Sequence, residues 1–175
     1  LLTILISAIY GQVSIESTPK SFQEQTTLNI EIQRLAEFDI QVFLEEDERN
    51  SSEIKPYRFA NPIDVDFNME NSGTWTILDD GSKIWQLIIH SPNAYSLNLI
   101  YNQFQIPNGA EFFVYSIDKE MVLGAFTNFN HKPHGGFSSA PVKGDMIVLE
   151  YNEPANPEFS GYISIETVAH DYRDM

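Results

Sequence analysis

The hydrophobic positions of this chain change rhythm along its length. Over residues 1–10 they run almost without interruption, Leu1-Leu-Thr-Ile-Leu-Ile-Ser-Ala-Ile-Tyr10, and Gly11 follows. Such a run is too short to cross a bilayer and has the length of a signal-peptide apolar core. Ser7, Ala8 and Gly11 supply small residues, so cleavage is expected between Gly11 and Gln12, with Ile9 at the imperfect minus-three place. The first residue is Leu1 and no basic region precedes the run. Residues 1–11 are therefore expected to be the C-terminal part of a truncated signal peptide. The competing reading is an edge strand over the same residues.

Residues 12–56 are polar and weakly patterned. Leu28, Ile30 and Ile32 alternate with polar residues, and so do Phe38, Ile40 and Val42, which predicts short strands rather than a helix. Glu45-Glu46-Asp47-Glu48, followed by Asn50-Ser51-Ser52, reads as a loop. From Tyr57 the pattern sharpens. Ile63-Asp-Val-Asp-Phe67 alternates strictly, and Thr74–Leu78 and Lys83–His90 flank the hairpin signal Asp79-Asp80-Gly81-Ser82. Tyr95, Leu97, Leu99 and Tyr101 mark one face of a further strand. Glu111–Tyr115, Met121–Phe126, the apolar run Asp145–Tyr151 and Gly161–Val168 complete the series. About eight strands spaced by roughly 10 to 15 residues, with turn residues between them and no helical period, predict an all-β antiparallel sandwich, jelly-roll-like. The one irregular stretch is Asn128–Lys143, and long loops in compact domains are often functional.

Composition narrows the function classes. Ten Lys and Arg against 25 Asp and Glu give a net charge of -15, which repels phosphate backbones and anionic membrane surfaces. No nucleic-acid partner is expected, and no membrane contact once the signal is removed. The absence of cysteine removes disulfides, Cys-based zinc sites and thiol nucleophiles. Aromatic residues make up 13% of the chain and supply the core volume that disulfides do not.

Few constellations carry chemistry. His131-Lys-Pro-His134 has a metal-pair spacing, but Pro133 opposes a helix and no acidic third ligand is near, so exposed loop histidines are the simpler reading. Asp79-Asp80-Gly81 and Glu45–Glu48 lack the alternating oxygens of a calcium loop. No Gly-x-Ser-x-Gly elbow and no Gly-Asp-Ser-Gly segment exists; Gly144-Asp145-Met146 begins like the latter and stops. His90 and His170 sit at strand ends without partners nearby in sequence, and all four histidines read as non-catalytic. Trp75 shares a strand side with Ile77, and Trp85 shares one with Leu87 and Ile89, so both tryptophans are expected in the core. No cofactor is implied.

A set of ordered pieces carries a family resemblance: Tyr57-Arg58-Phe59-Ala60, Gly73-Thr-Trp75, Gly81-Ser-Lys-Ile-Trp85-Gln-Leu87, Ala94-Tyr-Ser96-Leu97-Asn98-Leu99, Phe104-Gln-Ile106-Pro107-Asn-Gly109-Ala110 and Val114-Tyr115. They continue with Gly124-Ala-Phe126-Thr127, Pro141-Val-Lys-Gly144-Asp145, Leu149-Glu150-Tyr151 and Val168-Ala-His170-Asp-Tyr172-Arg173. Together they cover about two thirds of the chain. This order and spacing resembles the N-terminal pro-region of lysyl-endopeptidase-like secreted bacterial serine proteases. The resemblance implies an exported bacterial protein, extracellular or periplasmic. It also implies a pro-domain over residues 57–173, a link beginning at residues 174–175, and a chymotrypsin-like protease domain after it. The triad of that family belongs to the following domain, so no catalytic residue carries over. Arg173 is the expected processing site, with Lys143 and Lys132 as other candidates. The chain by itself is then not an enzyme, and its partner is the downstream protease domain of the same precursor. The alternative is a secreted carbohydrate-binding or adhesion β-sandwich module, for which a glycan is the partner.

Overall fold

The computed structural model describes residues 13–23, 29–49 and 58–173. Residues 1–11 and the Gly11–Gln12 junction lie outside the described residues. Eleven strands are described: β1 (Ile32–Arg34), β2 (Ala60–Asn68), β3 (Thr74–Ile77), β4 (Lys83–His90), β5 (Ser96–Gln105), β6 (Glu111–Ser116), β7 (Val122–Phe126), β8 (Phe137–Ser138), β9 (Val142–Lys143), β10 (Met146–Glu153) and β11 (Tyr162–Asp171). One helix, α1 (Ile40–Arg49), stands apart from them. The chain is an all-β sandwich of two sheets.

The first sheet has the order β1-β4-β10-β6-β7, with β3 also beside β4; the second has the order β2-β11-β5-β8, with β9 also beside β5. Every pairing is antiparallel except β1 with β4, whose register runs Ile32 to Ile88 and Arg34 to His90. The inner faces meet in one core. Trp85, Leu87 and Ile89 of β4, Ile147, Leu149 and Tyr151 of β10, and Phe112 and Val114 of β6 face Leu97, Leu99, Tyr101 and Phe104 of β5 and Ile163, Ile165 and Val168 of β11. Aromatic rings fill the middle: Phe104 stacks on Phe137 at 4.5 Å, and Phe126 meets Phe137 edge-on at 5.0 Å. Rings of this size each bury roughly 150–250 Å², which is how a cysteine-free domain gathers a sufficient core. Gly73 is required where it stands. Its φ is +85°, and a Cβ there would lie 2.5 Å from the Trp85 indole nitrogen, which donates to the Ser72 carbonyl at 2.8 Å.

A third layer crosses the outer face of the first sheet. Ile15 and Ala125 exchange two backbone hydrogen bonds of 3.1 Å at the β7 edge. Ser17 then donates to Glu111 at 2.9 Å, and a single 3-10 turn, Lys20–Phe22, sits over the centre. Beyond it, the Glu31 carbonyl accepts from Ile88 N–H at 3.0 Å and its carboxylate from Gly73 N–H at 2.9 Å, leading into β1 at the β4 edge. Residues 13–23 and 29–34 thus form a strap from one sheet edge to the other. Beneath it Ile88, Phe113, Tyr115, Ala125 and Val148 pack with Phe22, Ile30 and Met146 as a second apolar cluster.

Three expectations are corrected. Phe38, Ile40 and Val42 do not form a strand, and Glu45–Glu48 is not a loop; residues 40–49 are the helix α1. Asp39 caps its start by accepting from Gln41 N–H at 2.9 Å. Ile40, Phe43, Leu44 and Asp47 are the half-buried positions, an i, i+3, i+4, i+7 face, while Val42 is exposed. The Asp cap and the helix-favouring Glu45–Arg49 segment prevail over a three-residue alternation. Trp75 is not a core residue. It lies directly opposite Trp85 and points to the same side, but β3 is an edge strand that the second sheet does not cover, and Trp75 is 40% exposed. Asn128–Lys143 contains two short strands, β8 and β9, that pair with β5.

Candidate functional site

The expected site residues are scattered. His131 approaches the Phe104 carbonyl with Nδ1 at 3.1 Å, and His134 Nδ1 accepts from Gly136 N–H at 3.0 Å. Both rings tie the β7–β8 connection to itself and to β5. Among the described residues no three His, Asp or Glu side chains gather as a metal site. Lys132 is half-buried in this connection and Lys143 is exposed on β9.

His170 and Ser91 come together across the sandwich. Ser91 Oγ and His170 Nδ1 are 2.7 Å apart, and both residues are buried. The Phe38 ring closes over the imidazole edge-on at 4.5 Å, and Nε2 has no partner. Burial pushes the imidazole pKa down, against the opposing pull of Asp145. Next along β11, Asp171 accepts from Ser96 Oγ, and burial pushes its carboxyl pKa up. A hydroxyl, an imidazole and a carboxylate are therefore neighbours, but Phe38 seals the pair and Ser91 has no exposed surface. The arrangement joins the end of β11 to the β4–β5 turn.

The densest ionic cluster pins α1 to the end of β11. Asp47 accepts from Arg58 Nε at 3.0 Å, from the Tyr172 hydroxyl at 2.9 Å and from Arg173 Nη2 at 3.0 Å. Glu46 accepts from Arg58 Nη2 at 2.9 Å. Aromatic contacts run parallel to these bonds: Phe43 lies against Tyr172 at 5.8 Å, and the Arg58 guanidinium sits over Phe43 at 5.3 Å. The hydrogen bond from Arg173 is the main cause that holds the Asp47 carboxyl below its ordinary range, and the bond to Glu46 is the main cause raising Arg58. Arg173, the expected processing residue, is thus an anchored side chain.

A second polar group lies under the strap. Glu150 has no exposed surface, yet it sits on the outer side of β10, the central strand. It accepts from the Tyr115 hydroxyl at 2.9 Å, Gln86 Nε2 at 3.1 Å, Ser21 N–H at 3.1 Å and Ser21 Oγ at 2.5 Å. Burial is the main cause raising the Tyr115 hydroxyl pKa, with the Glu150 charge second. Four neutral donors on one carboxylate satisfy a charge that would otherwise be costly to bury. Sequence reading missed this network. Its signal was present: Gln86 and Glu150 each interrupt an otherwise apolar run, and they stand opposite each other in the β4–β10 register.

The outer face of the second sheet is bare by contrast. Asp64 and Asp66 of β2, Glu70 in the next turn and Glu166 at the β11 bulge are exposed, and β2, β5 and β11 contain no Lys or Arg. No helix among the described residues is long and apolar enough to cross a membrane. No family model matches the chain, and no solved structure matches it.

Proposed function

We propose that this chain is the non-catalytic pro-domain of an exported, lysyl-type serine endopeptidase precursor. Its role is to inhibit the protease domain or to help it fold. The observation that carries the reading is a coincidence of boundaries. The ordered pieces that resemble such pro-regions run from Tyr57 to Arg173, and ten of the eleven described strands, β2 to β11, lie within Ala60 to Asp171, with β1 (Ile32–Arg34) joining the first sheet from outside that block. Recognition residues and most of the sandwich are one block. The passage of the chain between the two sheets supports reading the sandwich as a jelly roll, with β2-β11-β5-β8 and β4-β10-β6-β7 as its two four-stranded layers. The enclosure of Ser91 and His170 supports a packing role for that pair. The acidic outer face of β2 and β11 supplies a surface for a more basic partner. A domain that binds only the folded protease stabilises it by mass action, and a tether raises its effective concentration.

The test is titration of the purified chain against a mature lysyl-type serine endopeptidase, with reading of the coding sequence past Met175. Inhibition that weakens as salt rises, with His-containing and Gly-Asp-Ser-Gly segments downstream, supports the reading. No inhibition and no downstream protease segments overturn it.

One observation favours the alternative, a carbohydrate-binding or adhesion module. Trp75 is exposed at a sheet edge, with Lys83 Nζ at 6.0 Å from its ring and Tyr151 edge-on at 6.1 Å. Aromatic rings on an open sheet edge stack on sugars. A glycan-array signal lost on Trp75→Ala would favour that module over the pro-domain.

A further inference from the structure

We propose that Arg173 is a guarded cleavage site and that α1 is its guard: the peptide bond after Arg173 is hydrolysed only when α1 leaves the end of β11. The inference rests on the pro-domain reading for its meaning, and it names how processing is regulated. A protease of the trypsin class takes an Arg or Lys side chain into a pocket lined by a carboxylate. Here that guanidinium already lies on a carboxylate of its own chain, Asp47. The residues before it are equally engaged. Tyr172 is buried, donates its N–H to the Phe59 carbonyl at 3.0 Å and its hydroxyl to Asp47. Asp171 is paired with Ala60 on one side and Ser96 on the other. A protease cannot draw residues 171–173 into its cleft while these bonds stand.

Asp47 joins Arg58, Tyr172 and Arg173 at one point, so a single side chain of α1 fastens the Tyr172 hydroxyl and the Arg173 guanidinium, while Asp171 is held by β2 and β5. The guard is also the element built to open. No residue of α1 is fully buried, whereas β10 and β6 are buried almost throughout. Segments with few buried contacts open locally at low cost, and cleavage of a closed site follows the population of its open form. In the cleavage itself one water is consumed. Its oxygen bonds to the Arg173 carbonyl carbon, the bond from that carbon to the Asp174 nitrogen breaks, and a proton goes to the departing amine.

The experiment is limited digestion of the full chain with trypsin, followed by intact mass. Loss of Asp174-Met175 reports Arg173, and cleavage after Lys119, exposed in the β6–β7 turn, reports general opening. Arg173 is expected to be cut more slowly than Lys119. Asp47→Asn is expected to speed cleavage at Arg173 about fivefold or more while leaving Lys119 unchanged. If Asp47→Asn speeds both sites, Arg58→Gln decides, because it loosens α1 by removing the bonds to Glu46 and Asp47 without altering Arg173: selective acceleration at Arg173 supports the guard and none overturns it. Equal rates at the two sites in the unaltered chain, or no response at Arg173 to Asp47→Asn, also overturn it. Loss of the guard with protease inhibition intact leaves the pro-domain reading standing. A working guard without inhibition removes that reading and keeps the guard.

Discussion

On the outer side of the β4–β10–β6 sheet, Phe113 and Glu150 have no exposed surface; on the outer side of the β2–β11–β5 sheet, Asp64 and Asp66 stand in water. The two sheets share one core. They differ in what the chain does with the far side. The first sheet is closed by residues 13–23 and 29–34 of its own chain, which bring Phe22 and Ile30 to an apolar cluster and Ser21 to a buried carboxylate. The second is left polar and acidic. One sheet is buried on both sides, and the other is buried on a single side and keeps its far face in water.

The largest test of this contrast is a pair of truncations. Phe113→Ala should lower the unfolding free energy by about 3–5 kcal/mol, the usual cost of emptying a buried aromatic site. Asp66→Ala should change it by less than about 0.5 kcal/mol, as for an exposed position. Denaturant melts of both variants read the difference directly. Equal costs would mean that the strap does not close the first sheet.

Much of the contrast was legible in the chain. Strict alternation over Ile63–Phe67 marks a strand half in water, and the apolar run within Asp145–Tyr151, interrupted by Glu150, marks one buried on both sides. Both strands stand where those patterns placed them, and β4 spans Lys83–His90 as expected. What covers the buried run was not legible. The strap has no period of its own: Ser17 meets Glu111 of β6, the neighbours Ser21 and Phe22 both meet Tyr115 of the same strand, and Ser21 also reaches Glu150 of β10. Helix α1 is hard to read because the local alternation of Phe38, Ile40 and Val42 masks the Asp39 cap and the spacing of Ile40, Phe43, Leu44 and Asp47. Trp75 was misread because its side of the strand is correct while the cover over it is absent, and cover is a property of the sheet order. The resemblance points to Arg173 by its place at the end of the ordered pieces; its partner Asp47 lies 126 residues away, in an acidic segment that reads locally as a loop.

The next effect in size belongs to the strap. Ser21→Ala removes the hydroxyl donor to Glu150 and keeps the backbone one, so it should cost about 1–2 kcal/mol. Combined with Glu150→Gln, its effect should fall well short of the sum of the two, because both act on one bond. Additive melts would place Ser21 away from Glu150 in solution.

A smaller effect comes from pH. Burial lowers the His170 pKa in the fold below its ordinary value of 6.5. As pH falls through that value the unfolded chain takes up a proton and the fold does not, so stability drops on the acid side. Asp47 acts in the same direction further down: its pKa is held below 3.8 in the fold, so its contribution stands above that value and is lost as pH falls through the lowered one. Asp171 opposes them, since burial raises its pKa and its charge is a cost that acid relieves. Thermal melts from about pH 7 to about pH 5 should show a falling Tm that flattens in His170→Gln. An identical slope in the variant would remove His170 from the account.

The smallest effect on stability should be the one that matters most for a partner. Asp64→Asn with Asp66→Asn should leave the melt within about 0.5 kcal/mol and weaken docking to a basic protease surface several-fold at low salt, with the difference fading as salt rises. A salt-independent affinity shared by variant and parent would take the docking surface elsewhere.

The proposal that the open outer face docks a protease while the closed one does not is tested most directly by hydrogen exchange of the full chain with and without a lysyl-type serine endopeptidase. The account predicts new protection along β2 and β11 and no change over residues 13–23. New protection over residues 13–23, with β2 and β11 unchanged, would contradict it.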